Sequence, residues 1–247
     1  VRLFSPWKFN IDDAAAELLV ASGWRAPDAE AYPTGAQILH DYLDPLSRVP
    51  AIADVLRFDS RVTNISRVGM DKVKTNGRAD APFVVTAVNS RGFDVRHLGH
   101  AVIDASGTWT KHNPLGVNGT FAPGERDARG IAYGIPDVLG KDLREYAGKR
   151  VLVVGAGHSA ANVIADLVKL RETNPSTSIT WGTRSGTLTR VYGGGVADKL
   201  AERGALGALL QSLVSSGAVK HVASMAVTRV EAKAGALDIS TESGDHF

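Results

Sequence analysis

The chain has 247 residues, 28 Lys and Arg against 26 Asp and Glu for a net charge of +2, and no cysteine. Its length suits one large domain or two small ones, and the near balance of charge, with no Lys/Arg run, argues against nucleic acid as a partner. Zero cysteines exclude disulfides, thiolate metal sites and a C-x-x-C redox pair. With no apolar run of about 18 residues and no leader-like start, neither a membrane span nor a membrane partner is expected, and a cytoplasmic location is.

In chain order, residues 12–22 are alanine-rich and stop before Gly23, which predicts a helix. Tyr32-Pro33-Thr34-Gly35 reads as a turn. Thr34 or Gly35 caps a second helix over residues 36–46, with Ile38, Leu39 and Leu43 on one face. Five β-like segments follow at residues 55–58, 62–68, 83–89, 93–98 and 100–104, with Gly77 and Gly92 marking turns. They predict a small antiparallel meander feeding a buried strand. The last segment runs on through Asp104-Ala105-Ser106-Gly107-Thr108-Trp109. Small residues there let a backbone pass close to a ligand or a neighbouring loop, and a tight strand-end turn explains them equally well. Residues 113–148, rich in Gly, Pro and charge, read as a connection that is ordered around 131–138.

The strongest signal is Lys149-Arg150-Val151-Leu152-Val153-Val154-Gly155-Ala156-Gly157-His158-Ser159-Ala160. Val151 to Val154 is the unbroken apolar run of a buried parallel strand. The stretch from Gly155 to Ala160 matches G-x-G-x-x-G/A. Gly155 permits the tight turn, Gly157 lets a pyrophosphate approach the backbone, and Ala160 is small enough for a helix to pack on the strand. That helix is expected over residues 158–171, with Val163, Leu167 and Leu170 at helical spacing. Its N-terminal amides would face the phosphates. His158 opens it, either reaching the pyrophosphate as an imidazolium or facing solvent. The next strand, residues 178–181, ends in Gly182-Thr183-Arg184-Ser185. An NAD site carries Asp or Glu at this strand end. Here no acid is present, and Arg184 offers a planar fork of donors to a 2′-phosphate, favouring NADPH. Otherwise Arg184 is a solvated surface charge. Glu172 lies nearer the usual offset but belongs to the helix end before Pro175.

In that order, the strand ending Asp104-Ala105-Ser106-Gly107-Thr108-Trp109, the connection with Asn113-Pro114-Leu115-Gly116, the GAGHSA turn and Thr180-Trp181-Gly182-Thr183-Arg184 resemble the two-dinucleotide-binding flavoproteins. Among them the chain looks like the flavin-containing monooxygenase and N-hydroxylase branch, or its related single-component NADPH oxidoreductases. The resemblance implies an α/β fold, a Rossmann-like NADP-binding domain joined to an FAD-binding domain with a β-meander. On this reading residues 1–115 are a partial FAD-binding domain, 116–148 the connection and 149–247 the NADPH-binding domain. It also implies that Ala105, Ser106 and Gly107 lie near the FAD. The strand at Arg61 and Val62 would pass the FAD adenine. Gly155, Gly157, His158, Ser159, Ala160 and Arg184 would hold NADPH. A hydride would pass from NADPH to flavin, and electrons then to oxygen or another acceptor. The partner is a small-molecule substrate, with a homodimer left open.

The departures narrow this reading. No strand-GxGxxG-helix precedes residues 1–7, and nothing after residues 245–247 supplies the closing FAD segment, so the sequence reads as an internal portion. Phe121-Ala122-Pro123-Gly124 leads to no histidine in register, which lowers Baeyer–Villiger chemistry. The absence of thiols removes dithiol-reductase chemistry. No side-chain acid or base is singled out, because the cofactors carry the difficult chemistry. Trp7, Trp109 and Tyr192 are aromatic candidates for the reaction zone, each with a structural alternative. The stretch Tyr192-Gly193-Gly194-Gly195 either lines a nicotinamide pocket or forms a loop. His97, His100 and His112 are spaced too irregularly for a metal site. Two further readings stay open: an NADPH-binding module without flavin, regulatory or non-catalytic, and a structural protein that keeps the fold and binds nothing.

Overall fold

The computed structural model describes residues 2–108, 111–193 and 198–247, with Arg190 described in its backbone alone. The chain divides into two compact units, Val1–Thr108 and Trp109–Phe247. No helix among the described residues is long and apolar enough to cross a membrane.

In the first unit, helix α1 (Asp13–Ala21) starts where the Asp12 side chain accepts from the Ala15 amide. A second helical stretch joins α2 (Gly35–Gln37), a π-helical turn (Ile38–Leu43) and α3 (Asp44–Ser47), and a short α4 (Pro50–Ala53) follows. Thr34 is its cap, and the cap is a reciprocal box. The Thr34 hydroxyl accepts from the Gln37 amide at 3.2 Å, and the Gln37 side chain accepts from the Thr34 amide at 2.9 Å. The core of this unit is Trp7, Leu19, Tyr42 and Val49, with Ile38 and Leu46 packed against it. That corrects the expected helix face, because Leu39 and Leu43 are 48% and 45% exposed. The inward face is the i, i+4, i+8 row through Ile38, Tyr42 and Leu46, which leaves Leu39 and Leu43 beside it.

Strands β1 (Arg61–Arg67), β2 (Phe83–Val88) and β3 (Asp94–Gly99) form the antiparallel meander in that order. Gly92, at φ +80°, turns β2 into β3, and the register slips once between Val62 and Asn64. Residues 55–58 and 100–104 are not strands, contrary to expectation. Both have strand-like side chains, but no strand among the described residues pairs with them, and β-propensity forms a strand only in such a pairing. Ile103 is consequently 92% exposed.

The second unit holds α5 (Leu143–Tyr146), β4 (Arg150–Val154), α6 (His158–Thr173), β5 (Ser178–Gly182), α7 (Thr189–Tyr192), α8 (Ala201–Ser215), β6 (Lys220–Val222), β7 (Val227–Lys233) and β8 (Ala236–Thr241). β4, β5 and β6 make a parallel sheet in that order, with helices in the two crossovers. Alternate residues of β4 serve opposite faces. Val151 and Val153 join a cluster with Ile164, Leu167 and Leu170 of α6 and Leu210 and Leu213 of α8. Leu152 and Val154 join the other, with Met225 and with Val227, Val230 and Ile239 of the antiparallel β7–β8 hairpin. The segment 113–148 takes part in both, through Ala122 on the hairpin side and Val138 on the helix side. The fold is therefore α/β, combining a parallel Rossmann-like sheet with antiparallel strands.

Candidate functional site

The loop after β4 begins at Gly155, whose φ of +135° is open to glycine and strained for other residues. Its amide donates to Gly182 O at 3.0 Å, extending the β4–β5 ladder, and its carbonyl accepts from the buried Trp181 indole at 2.8 Å. A Cβ at Gly155 would lie 3.9 Å from the Ala160 Cβ, so the buried Ala160 is where α6 packs against this loop. Gly157 is the N-cap of α6, and nothing lies within 4 Å of where its Cβ would stand. No side chain caps the helix, and His158 and Ser159 are exposed in its first turn. Gly155, Gly157, His158, Ser159 and Ala160 thus form one open turn at a helix N-terminus, where unsatisfied amides and the dipole favour an anion.

Arg184 follows β5 and is exposed. Its Nη2 donates to Pro114 O at 3.0 Å and to Gly116 O at 3.1 Å, so it is tied to the 114–116 turn. Its own turn is braced from below. The Thr183 hydroxyl donates to Ser185 O at 3.0 Å, which leaves its oxygen to accept from His221 Nε2 at 2.9 Å. Burial depresses the His221 pKa from its ordinary value near 6.5.

The 114–116 turn is built on Glu125, a residue that sequence reasoning passed over. Glu125 is only 2% exposed. Its carboxylate accepts from the Leu115 amide at 2.7 Å, the Ala122 amide at 2.8 Å, the Gly116 amide at 3.3 Å and the Tyr133 hydroxyl at 2.5 Å. Burial alone would raise its pKa, but these four donors outweigh it and hold the carboxyl below the usual carboxylate range. Burial and the Glu125 charge push Tyr133 up to about 12. The Tyr133 ring stacks on His112 with centroids 3.6 Å apart. A single Glu in a Gly- and Pro-rich segment carries no periodic or motif signal, and only its donors mark it.

Of the remaining candidates, Val62, Ala105, Ser106, Gly107 and Trp7 belong to the first unit and Tyr192 to the second. Val62 is exposed on β1, and Ala105, Ser106 and Gly107 are exposed in irregular chain after β3. The Asp104 carboxylate accepts from the Ser106 hydroxyl at 2.6 Å and the Ser106 amide at 3.0 Å, forming a local turn. Arg61 borders an open groove of about 480 Å³ with Asp59, Ser60, Val88 and Asn89, and residues 105–107 take no part in it. Trp7 is buried in the first unit's helical core. Tyr192 ends α7, and its carbonyl oxygen lies 2.1 Å from where a Cβ on Gly207 of α8 would stand, so Gly207 is needed for the two helices to meet. Trp109, Gly194 and Gly195 lie outside the described residues. Around His97, His100 and His112, as elsewhere among the described residues, no group of three or more His, Cys, Asp or Glu is placed to hold a metal ion.

Residues 132–192 match the model of the L-lysine 6-monooxygenase/L-ornithine 5-monooxygenase family, about a quarter of the chain and the part that contains the glycine turn and Arg184. No curated protein matches the chain by sequence. Among solved structures, a bacillithiol disulfide reductase from Bacillus cereus is similar with a TM-score of 0.64 and 18% identity, covering 100% of this chain and 60% of that one. A flavin monooxygenase from Stenotrophomonas maltophilia gives 0.54 and 22%, covering 100% and 62%. An ornithine N-hydroxylase from Kutzneria sp. 744, solved with reduced FAD, NADP+ and L-ornithine, gives 0.50 and 14%, covering 100% and 66%. The chain spans about 60% of the length of the first of these. At these identities the likeness is one of fold, shared with a disulfide reductase, a flavin monooxygenase and an ornithine N-hydroxylase.

Proposed function

We propose that the chain is the NADPH-binding portion of an FAD-dependent oxidoreductase of the N-hydroxylating monooxygenase kind. The observation that carries this reading is the pairing of an open Gly155–Gly157 turn at the N-terminus of α6 with Arg184 at the end of the adjacent strand. The local family match lies within the same unit and supports that part of the reading.

The residues fit the nucleotide. The first-turn amides of α6 take the pyrophosphate, with Gly157 leaving room for it. The two protein acceptors of Arg184 are neutral carbonyls, so neither offsets the guanidinium charge. Among the described residues its Nε and Nη1 hydrogens have no acceptor, so they are left to meet the ribose 2′-phosphate. When bound, NADPH supplies a hydride, which a flavin relays as electrons to oxygen or another acceptor. This chain's contribution is to bind and orient the nucleotide.

Among the described residues of the first unit, Val62, Ala105, Ser106 and Gly107 are exposed, and none of them lines the groove beside Arg61. That observation favours a second reading, an NADPH-binding module without flavin.

Two measurements separate the readings. Calorimetric titration should show NADP+ binding at least about tenfold tighter than NAD+, the worth of one charge-assisted contact. Arg184→Ala should remove that preference, and equal losses for both nucleotides would sink the 2′-phosphate assignment. The visible spectrum of the chain after incubation with FAD and desalting then decides the rest. A retained flavin band that bleaches with NADPH supports the oxidoreductase. A colourless protein that still binds NADP+ supports the second reading.

A further inference from the structure

We propose that Glu125 is a positioning residue for nucleotide selectivity: it folds the 114–116 turn whose carbonyls hold Arg184 ready for the 2′-phosphate. The proposal rests on the reading that Arg184 meets that phosphate.

Peptide geometry carries the inference. A peptide unit is planar, so fixing its N–H fixes the direction of its C=O. Pro114 O, which accepts from Arg184, shares a peptide unit with the Leu115 amide, and that amide donates to Glu125 at 2.7 Å. Gly116 O, the second acceptor, shares a unit with the Val117 amide, which donates to Val227 O of β7 at 2.9 Å. The Gly116 amide between them also points at Glu125, at 3.3 Å. Both carbonyls that grip the guanidinium are therefore aimed from behind, one by a buried carboxylate and one by a strand. A Cβ on Gly116 would come within 2.2 Å of Thr120 O, so the turn closes this tightly only on glycine.

The chemistry suits selectivity. An exposed arginine carries about 2 kcal/mol of side-chain entropy that a ligand must overcome. Two aimed carbonyls reduce that freedom in advance. They do so without neutralising the charge, as a carboxylate facing the guanidinium would. Glu125 instead spends its own charge on amides and on Tyr133, and a peptide whose N–H is bound to an anion is the stronger acceptor at its C=O.

The test uses the whole chain and calorimetric Kd values for NADP+ and NAD+. In Glu125→Gln the carboxamide NH2 faces amide donors in place of an acceptor oxygen. NADP+ affinity should fall about fivefold to tenfold, with NAD+ within about twofold, as expected for losing alignment at one charged contact. The double variant Glu125→Gln/Arg184→Ala should bind NADP+ no more weakly than Arg184→Ala alone, because the effect passes through Arg184. Equal losses for both nucleotides, or losses that add to Arg184→Ala, would overturn the proposal and leave Glu125 a purely structural residue. Should Glu125→Gln fail to fold by circular dichroism, Tyr133→Phe decides. It removes one donor to Glu125 and keeps the ring, and it should reduce NADP+ preference about twofold; an unchanged preference overturns the proposal. If Arg184→Ala itself leaves the preference intact, or the parent chain binds neither nucleotide, the underlying reading falls and takes the proposal with it. If Arg184→Ala abolishes the preference and the Glu125 and Tyr133 variants do not alter it, the proposal alone falls.

Discussion

The two units hold strands of similar composition and treat them differently. Phe83-Val84-Val85 in β2 and Val151-Leu152-Val153-Val154 in β4 are both strongly apolar. β4 has a packed cluster on each face. β1 and β3 are largely exposed, and the helical core of the first unit contains no strand residue. Connectivity explains the difference. A parallel pair needs a crossover, and the crossover helix lands on the sheet it connects. This meander closes through the loop 68–82 and the short turn 89–93, and neither brings a covering helix. Burial on one face of β4 therefore comes with the crossover helices, the β7–β8 hairpin covers the other face, and cover has to be supplied separately in the first unit.

The largest test of that contrast is Leu167→Ala. Leu167 is fully buried between α6 and the sheet, and its loss should destabilise the second unit by about 3–5 kcal/mol. Urea unfolding followed by the buried Trp181 should show it, while the first unit's transition stays put. A matching shift in both would mean that the units do not unfold separately. Gly124→Ala should come next. Gly124 sits at φ +83°, and its Cβ would fall 2.0 Å from Val230 O. Backbone must move, at a cost of about 2–4 kcal/mol in thermal or chemical melts.

Acid should weaken the second unit in two steps. His221 has a depressed pKa when folded, so the unfolded chain takes up protons first, and stability falls as pH drops below about 6.5. Glu125 is also depressed, so its contribution is present above about 4.5 and is lost as pH falls through its folded value. Melting temperature against pH, compared with Glu125→Gln, should show the second step vanish in the variant. Retention of that step would assign it to another carboxylate.

The smallest effect should come from the meander's side. Ile103→Asn alters a side chain already in water, and should change stability by less than about 0.5 kcal/mol. A loss above about 2 kcal/mol would show that Ile103 is covered in solution, and the contrast between the units would weaken accordingly.

Local pattern was enough for much of this molecule. The apolar run, the glycine turn and the 3.6-residue repeat specified β4, the open turn and the buried Val163, Leu167 and Leu170, because each depends on neighbours within a few residues. Thr34, one of the two expected caps, is the cap for the same reason, and its reciprocal partner Gln37 emerged with the structure. Tertiary structure decided the rest. Residues 100–104 have strand chemistry but no partner strand, and pairing is non-local. Leu39 and Leu43 face outward because the core took the row through Ile38, Tyr42 and Leu46. Arg184 stood in the sequence as a 2′-phosphate ligand or a solvated surface charge, and its hold on Pro114 and Gly116 spans about 70 residues of chain. Glu125 gave no sequence signal at all. Its importance lies in four donors that only folding brings to one carboxylate, and a buried charge survives only where the fold supplies them.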